Sequence, residues 1–322
     1  MNTVIVTQLS FLAAVVALGG CSSASAGPSA ASCSERCLGA KTFEAKRTAS
    51  ASSAFWQRWG DGKAELSGFR ITTQRYGEAR AGRGALIYVT EPLHRRTLVK
   101  DDSARGADKL DVVKLNQTLT FDTGIYPYSV ITSTFAPVDA HQGQERFSPA
   151  KIALSAQEWC GHVYHRLLPQ GSRAQSSMRS YFASEGERDE VLSWGGATPL
   201  YEDALLIQLR ELDGAFNAGR DWKGKLVPTL WATRKAHRAL QPVDATIQRS
   251  EVTTDDGKAA TRFTLRYGNV WRHIDVEKAT PRRILGWSAS DGEKATLLKT
   301  ARLPYWSLHG NQHRGERAKL GL

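Results

Sequence analysis

The stretch GALIYVTE, residues 84–91, decides the fold of this chain. It is a nearly continuous apolar run, rich in β-branched and aromatic residues, and its length suits one central strand. Residues 64–76 before it alternate between apolar and polar side chains, as a half-buried strand does. Outward from there, short segments dominated by Thr, Val, Tyr and Phe are separated by Gly, Asp or Pro. These segments predict strands at residues 96–100, 112–121, 128–137, 151–155 and 159–168.

A second set of strands follows a segment of different character. In TPLYEDALLIQLR, residues 198–210, Thr198 is a helix cap, Pro199 takes the first helical position and acids fill the first turn, so a helix is predicted. The aromatic cluster at 55–59 predicts one short helical turn docked on the core. The remaining strands are predicted at residues 225–232, 246–253, 261–267, 270–276, 283–289 and 294–300.

The spacing of these segments predicts the fold class. Strands begin roughly every 10–15 residues, which leaves no room for crossover helices, so we expect them to pair antiparallel. The chain is therefore predicted to be mainly β: a large curved antiparallel sheet or incomplete β-barrel with one intervening helix. Such an architecture is similar to that of periplasmic lipid-carrying lipoproteins of the LolA kind. This likeness concerns the fold and transfers no activity.

The N-terminus predicts export. An apolar run from Val4 to Leu18 suits the core of a signal peptide and is shorter than the roughly 20 residues of a membrane-spanning helix. It ends in Leu18-Gly19-Gly20-Cys21, which resembles a bacterial lipobox, whose cysteine is lipidated and becomes the first residue of the mature protein. Residues 1–20 contain no Lys or Arg. An ordinary secretory signal or a buried helix is the alternative interpretation.

The low-complexity segment after Cys21 supports an anchor. It is rich in Ser, Ala and Gly and poor in apolar side chains, as flexible spacers are. The residue after the cysteine is not Asp, which by analogy favours the periplasmic face of the outer membrane. The expected regions are a signal peptide at 1–20, the lipidated cysteine and flexible tether at 21–53, a β-rich globular domain at 54–305 and a basic tail at 306–322. If the globular domain has two separate halves, they are expected to meet near 190–220. The tail is expected to be disordered from residue 309.

Composition and net charge restrict the kinds of binding partner expected for this chain. Of the 322 residues, 41% are hydrophobic and 23% are charged, which are ordinary values for a chain with a real core. A net charge of +11 would indicate nucleic acid for a cytoplasmic protein. Outside the cytoplasm the available anions are lipid head groups and acidic envelope polymers, so nucleic acid is not expected. A solvated basic surface without a partner is the alternative.

Three further cysteines, Cys33, Cys37 and Cys160, follow the lipobox. An oxidising compartment permits one disulfide among them and leaves one thiol. The short spacing of Cys33 and Cys37 favours a local bridge over a metal site, because no third and fourth ligands lie nearby. No metal or cofactor is predicted.

The segment QEWCGHVYH, residues 157–165, is the densest group of reactive side chains. On one strand Glu158, Cys160 and His162 would share a face, with His165 nearer the other side. A thiol beside an imidazole that a carboxylate orients is the arrangement of a cysteine nucleophile. No protease signature surrounds Cys160, and alternate residues of a strand stand about 7 Å apart. A structural cysteine with hydrogen-bonded histidines is the favoured interpretation.

Aromatic residues suggest a ligand site. Tyr, Pro and Gly are concentrated at residues 123–129 and 135–139. Because Tyr presents both a ring and a hydroxyl group, Tyr126 and Tyr128, with Trp159 beside the reactive segment, are predicted to line a ligand cavity. A bend in the sheet is the alternative.

Several short runs point to a family. They are Phe55-Trp56, Gly62-Lys63-Ala64-Glu65, Arg75-Tyr76-Gly77-Glu78, Val89-Thr90-Glu91, Lys114-Leu115-Asn116, the segment 121–128 and QEWCGH at 157–162. Together they resemble uncharacterised bacterial lipoproteins, some of which carry the label septum formation inhibitor Maf. The resemblance covers most of residues 55–185, and it implies no catalytic residues.

The Maf label implies a cytoplasmic nucleotide pyrophosphatase with a Ser-Pro-Arg-Arg motif on a phosphate-binding loop near the N-terminus. This chain has Thr280-Pro281-Arg282-Arg283 near its C-terminus, without a preceding loop of small residues. We interpret this partial match as a coincidence.

The predicted function follows from the anchor, the strands and the incomplete catalytic sets. The chain is expected to be a lipid-anchored envelope protein that is not an enzyme and that binds an apolar or amphipathic ligand or an envelope partner. Its membrane contact is lipidated Cys21. The alternatives are a Cys/His-dependent hydrolase centred on Cys160 and a basic scaffold that binds anionic envelope polymers.

Overall fold

Strands dominate the computed structural model, which describes residues 50–196 and 198–322. The predictions for the signal peptide, Cys21, Cys33, Cys37 and most of the tether lie outside the described residues. Fifteen strands pair into one sheet. They are β1 (Ala64–Arg75), β2 (Glu78–His94), β3 (Lys109–Thr123), β4 (Tyr126–Pro137), β5 (Lys151–Glu158), β6 (Gly161–Gln170), β7 (Arg173–Ser180), β8 (Glu187–Ser193), β9 (Leu200–Tyr201), β10 (Trp222–Val227), β11 (Val243–Thr253), β12 (Ala259–Tyr267), β13 (Val270–Glu277), β14 (Ile284–Ala289) and β15 (Lys294–Leu303).

The sheet has its first strand at the centre. β1 pairs with β2 on one side and with β15 on the other. From β1 the chain meanders outward to β8 at one edge, and from β9 at the other edge it meanders back to β15. All pairs are antiparallel except β9 with β10. The sheet is curved and not closed, which confirms the predicted fold class. The two predicted halves share this one sheet through the β1–β15 pair.

The direction of the strands defines two ends of the sheet. The hairpins β1–β2, β3–β4, β5–β6 and β7–β8 all turn at the same end, which we name the upper end. The connection from β10 to β11 also lies at the upper end. The described chain begins at residue 50 at the opposite, lower end, just before β1.

Three short helices accompany the sheet: α1 (Ser53–Trp59), α2 (Glu202–Gln208) and α3 (Leu230–Lys235). The side chain of Ser52 accepts a hydrogen bond from Phe55 N, which caps α1 as a helix start requires. The predicted helix at 198–210 is α2, and it is shorter than expected because Leu200 and Tyr201 pair with β10 instead. Thr198 is therefore not its cap and Pro199 is not its first residue: the capping position is Tyr201, whose side chain makes no capping hydrogen bond.

The core lies on the concave face of the sheet. Ala204, Leu205 and Ile207 of α2 belong to one buried cluster with residues from both halves of the sheet, such as Leu154 and Ile274. Tyr88 Oη on β2 donates a hydrogen bond of 2.8 Å to the carbonyl of Leu206. The intervening helix is therefore inside the curve of the sheet, and its apolar side chains bury on several sides at once.

Some predicted strand boundaries are wrong. Residues 96–100 form a loop, joined to the sheet by one isolated bridge between Leu93 and Lys100. The predicted strand at 225–232 ends at Val227, because the Thr229 side chain caps α3 by accepting from Ala232 N at 2.9 Å. Strands β7 and β8 were not predicted, because Val191 is the one β-branched residue, and no aromatic residue occurs, in their sequences RAQSSMRS and ERDEVLS.

The C-terminal tail packs on the convex face, contrary to the predicted disorder. Residues Asn311–Leu320 form 3-10 turns, and Leu320 is buried with Ala64, Leu66 and Val89. A Cβ atom at Gly68 would lie 2.1 Å from the carbonyl oxygen of Leu320, so a glycine permits this close approach. The tail explains why the first six residues of β1 are all buried: the core covers one face and the tail covers the other.

Candidate functional site

The interior of the curved sheet is occupied largely by α2. All residues from Glu202 to Ile207 are buried. Thr134 Oγ1 on β4 donates a 3.0 Å hydrogen bond to the carbonyl of Asp203, which fixes the helix against the floor of the sheet. The helix therefore takes up the middle of the concave face, and ligand space must be sought beside it.

The first turn of α2 is an acidic pair that holds α3. Asp203 Oδ2 accepts a 2.9 Å hydrogen bond from Leu230 N, and Glu202 Oε2 accepts one of 3.3 Å from Thr229 N. Burial raises the pKa of Asp203 to about 7, and burial also raises the pKa of Glu202. Arg272 compensates the charge of Glu202, with Nε 3.1 Å from Oε1. The acids thus serve as caps for a neighbouring helix.

A polar network extends from this pair to the upper end of β14 and β15. Arg272 Nη1 lies 3.3 Å from Glu293 Oε1, and Trp287 Nε1 donates to the same oxygen at 3.0 Å. A cavity of about 50 Å³ beside Glu202, Asp203 and Arg272 has room for a few water molecules and for no larger ligand. This network is a buried structural feature with little room for a substrate.

A larger cavity of about 280 Å³ lies between strands β5–β8 and α3. Its volume approaches the lower limit of pockets that hold small ligands. The cavity is open because β8 is an edge strand, and nearly all of its residues are exposed on both faces. Apolar side chains that line it are Leu154, Val163, Met178, Leu192, Leu230 and Leu240.

Charged side chains from the β7–β8 hairpin, β8 and α3 surround the mouth. Glu185 pairs with Arg234 at 2.7 Å and with His237 at 2.9 Å. Arg188 Nε lies 3.1 Å from Glu190. Arg238 also lines the cavity, and it forms no ion pair within the described ranges. An apolar interior with excess positive charge at its mouth suits an amphipathic molecule with an anionic head.

One polar pair lies in the wall of the cavity. His165 Nε2 and Ser176 Oγ are 2.9 Å apart, and both side chains are buried. Burial, with a smaller effect of the Arg188 charge, lowers the pKa of His165 to about 4. The imidazole is therefore neutral near pH 7 and a weak base, so the pair serves as a cross-strand hydrogen bond.

The predicted reactive group is dispersed by a hairpin. β5 ends at Glu158 and β6 begins at Gly161, so Trp159 and Cys160 form the turn and the expected shared face does not exist. Cys160 is exposed, and its backbone N–H donates a 2.6 Å hydrogen bond to Glu158.

The electrostatics also disfavour a thiolate. A side-chain hydrogen bond with the Glu158 carboxylate raises the pKa of the Cys160 thiol, the opposite of what a cysteine nucleophile requires. His162 is exposed and lies opposite Gln157 in the β5–β6 ladder, whereas His165 is buried on the concave face. The geometry brings together none of the predicted catalytic residues as a nucleophile and base.

The predicted ligand residues do meet, at the upper end of the sheet. The rings of Tyr126 and Tyr128 are 6.0 Å apart, and those of Tyr126 and Trp159 are 6.3 Å apart. Tyr128 is buried and stacks on Phe121, whereas Trp159 is 69% exposed. None of the three residues lines the 280 Å³ cavity, whereas Tyr128 lines an open cavity of about 570 Å³ beside Phe121.

The partial Maf motif has structural partners. Arg282 Nη1 donates to Glu211 at 2.9 Å, and Arg283 forms two hydrogen bonds with Glu277. Both guanidinium groups are therefore engaged with carboxylates of this chain.

Sequence reasoning missed the residues that shape the cavity mouth, Arg188, Arg234 and Arg238. No spacing pattern connects them, because they come from β8, from α3 and from the connection after α3, and the sequence predicted neither that strand nor that helix. The Glu202-Asp203 pair had a signal, since two acids open an otherwise apolar helix.

Within residues 50–196 and 198–322, no helix is both long and apolar enough to cross a bilayer. The same ranges contain no group of three or more His, Cys, Asp or Glu side chains placed to hold a metal ion. Comparison with protein-family models, with curated proteins and with solved structures finds no match for this chain.

Proposed function

We propose that this protein is a lipid-anchored envelope protein, attached through Cys21, that binds an amphipathic molecule in the cavity between β5–β8 and α3. The proposal assigns it no chemical step. It would work at the periplasmic face of the outer membrane, where an exported chain with a lipobox followed by a non-Asp residue is retained.

The cavity carries the proposal. It combines an interior face of buried apolar side chains with charged groups at its mouth. The side chains of the strand residues Leu154, Val163 and Met178 are buried on the concave face. An alkyl chain placed against them is removed from water, which stabilises the complex by about 0.8 kcal/mol for each buried CH₂ group.

The charges at the mouth of the cavity favour one kind of ligand head group. Three arginines and one histidine face two glutamates there, and Arg238 is the cation left without an acidic partner in the described ranges. A carboxylate or phosphate head group near Arg188 and Arg238 would be favoured over a cationic one.

Ligand binding is tested on the protein extracted from membranes. Native mass spectrometry should show a bound mass of lipid size, and a fluorescent fatty acid should bind and be displaced by that lipid. Met178→Trp fills the cavity and should abolish binding. Ser177→Trp is the matched control, because Ser177 is the preceding residue of β7, faces the convex side and contributes no group to the cavity. Equal binding by both variants would contradict the proposal.

The anchor is tested separately. Radiolabelled palmitate should enter the wild-type protein and should not enter Cys21→Ala, and only the wild type should fractionate with membranes. Export without labelling would remove the anchor and leave the cavity assignment unaffected.

A further inference from the structure

Large exposed hydrophobic side chains are concentrated at the upper end of the sheet. The tips of the four hairpins β1–β2, β3–β4, β5–β6 and β7–β8 each present one of them. They are Tyr76, Ile125, Trp159 and Tyr181, with 59%, 84%, 69% and 70% of their surfaces exposed. We name these four side chains the upper rim.

The upper rim is held in place by packing. The Arg75 guanidinium lies 4.2 Å from the ring centre of Tyr76, whose hydroxyl is 2.8 Å from that of Tyr128. The ring of Tyr181 occupies the space beside Gly161, where an added Cβ atom would lie 2.7 Å from it. Rings fixed in this way lose little conformational entropy when they contact a partner.

Neighbouring hairpins of a meander are spaced by two strands, or roughly 10 Å, so the four tips extend over roughly 30 Å. A row of that length presents several contacts to a broad surface at once. Scattered single hydrophobic residues are normal on protein surfaces, but one at each of the four successive tips from β1–β2 to β7–β8 marks an interaction site.

The mouth of the 280 Å³ cavity adjoins this row. Ser184 and Glu185, which line the cavity, belong to the same β7–β8 connection as Tyr181. α3, which forms the other side of the mouth, also lies at the upper end. A surface that covers the upper rim would therefore lie next to the entrance of the cavity.

We propose that the upper rim docks on the interfacial region of a lipid bilayer. Tyr and Trp favour that region because their rings are apolar and their hydroxyl and N–H groups stay hydrated. The charges near the tips are of both signs, Arg75 and Arg179 as well as Glu78 and Asp122, so docking depends on ring burial and not on attraction to anionic lipids. The position of the mouth supports a bilayer as the occupant, since an amphipathic molecule could then enter the cavity without crossing water; this argument rests on the proposed function.

Photo-crosslinking of the full chain tests the docking. p-Benzoylphenylalanine is placed in turn at positions 125 and 159 of the upper rim, and at positions 99 and 306 as controls. Val99 and Trp306 are also strongly exposed but belong to the lower end. The protein is reconstituted in vesicles of phosphatidylethanolamine with a minor fraction of phosphatidylglycerol, and lipid adducts are measured by mass spectrometry.

The expected result is a several-fold higher yield of lipid adducts at the upper positions than at the lower positions, unchanged by high salt. A second variant carries Tyr76→Ser and Tyr181→Ser, with Ser at one of positions 125 and 159 and the photo-probe at the other. Its yield of lipid adducts should fall to the level of the control positions. Equal yields at both ends, or adducts at the upper rim with protein only, would overturn the proposal. The Met178→Trp variant distinguishes the docking proposal from the cavity assignment. If this variant binds no ligand but still forms lipid adducts at the upper rim, the docking proposal holds whether or not the cavity assignment fails.

Discussion

Arg210 and Glu65 form a buried ion pair, with Arg210 Nη1 2.8 Å from Glu65 Oε1 and both side chains at most 1% exposed. Arg210 follows α2, and Glu65 lies on the central strand β1, so the pair fixes the helix to the middle of the sheet. Arg210 also donates hydrogen bonds to the carbonyls of Pro281 and Arg282, and Glu65 accepts one from Arg58. The position of α2, and hence the space left for the cavity, depends on these contacts.

Arg210→Met should lower the free energy of unfolding by about 3–5 kcal/mol, because it leaves a buried carboxylate with Arg58 alone and two carbonyls without their donor. Urea unfolding followed by circular dichroism measures the loss. Lys258→Met is the control, since its pair with Asp256 is exposed and should matter little. Similar losses in the two variants would show that the buried pair has no special role.

Asp203 should make the protein less stable as the pH rises. Its pKa is about 7 in the folded protein because of burial, against an ordinary value of 3.8. Between these values the folded state holds a proton that the unfolded chain has released, so stability decreases from about pH 4 to about pH 7. Asp203→Asn keeps an acceptor for Leu230 N and removes this dependence.

We therefore expect Asp203→Asn to be more stable than the wild type at pH 8, by up to about 4 kcal/mol, and to lose that advantage near pH 4. Urea unfolding across this pH range measures both profiles. Asp244→Asn, at an exposed carboxyl, should follow the wild type. Parallel profiles for Asp203→Asn and the wild type would refute the assignment.

His165 should act in the opposite direction at lower pH. Burial lowers its pKa to about 4, so below about pH 6.5 the unfolded chain gains a proton that the folded protein resists. Stability from this group is lost as the pH falls from about 6.5 to about 4, by up to about 3 kcal/mol. His165→Gln should flatten the profile there, whereas His309→Gln, at an exposed position, should not. An NMR titration in which the His165 ring protonates near pH 6.5 would contradict this prediction.

The C-terminal tail should contribute to stability. Leu320→Ala is expected to lower the free energy of unfolding by about 2 kcal/mol, at the low end for a buried leucine, because its cluster is small. Lys319→Ala, whose side chain is exposed, is the matched control. If a chain truncated before residue 309 melts at the wild-type temperature, the tail does not protect β1.

Much of the candidate site depended on elements that the sequence signalled poorly. The residues of β8 are polar and exposed on both faces, so no alternation marked them, yet they form one side of the cavity. The predicted strand began at residue 159, two residues before β6 does, so Cys160 and His162 were expected to share a face. In the structure Cys160 belongs to the turn, which separates it from His162. The aromatic residues of this hairpin were recognised, but not their place on a rim with Tyr76 and Tyr181.

The fold class follows from the sequence alone, because alternation and strand spacing are local properties that a short window contains. The sequence also determined the expectation of export, through the apolar run before Cys21. The three-dimensional fold was needed to show that α2 fills the concave face, that the tail covers β1 and that four hairpin tips lie at one end. This is because burial and strand pairing join residues that are far apart in the chain, as Glu65 and Arg210 are. No local pattern in the sequence specifies which distant residue will neutralise a buried charge.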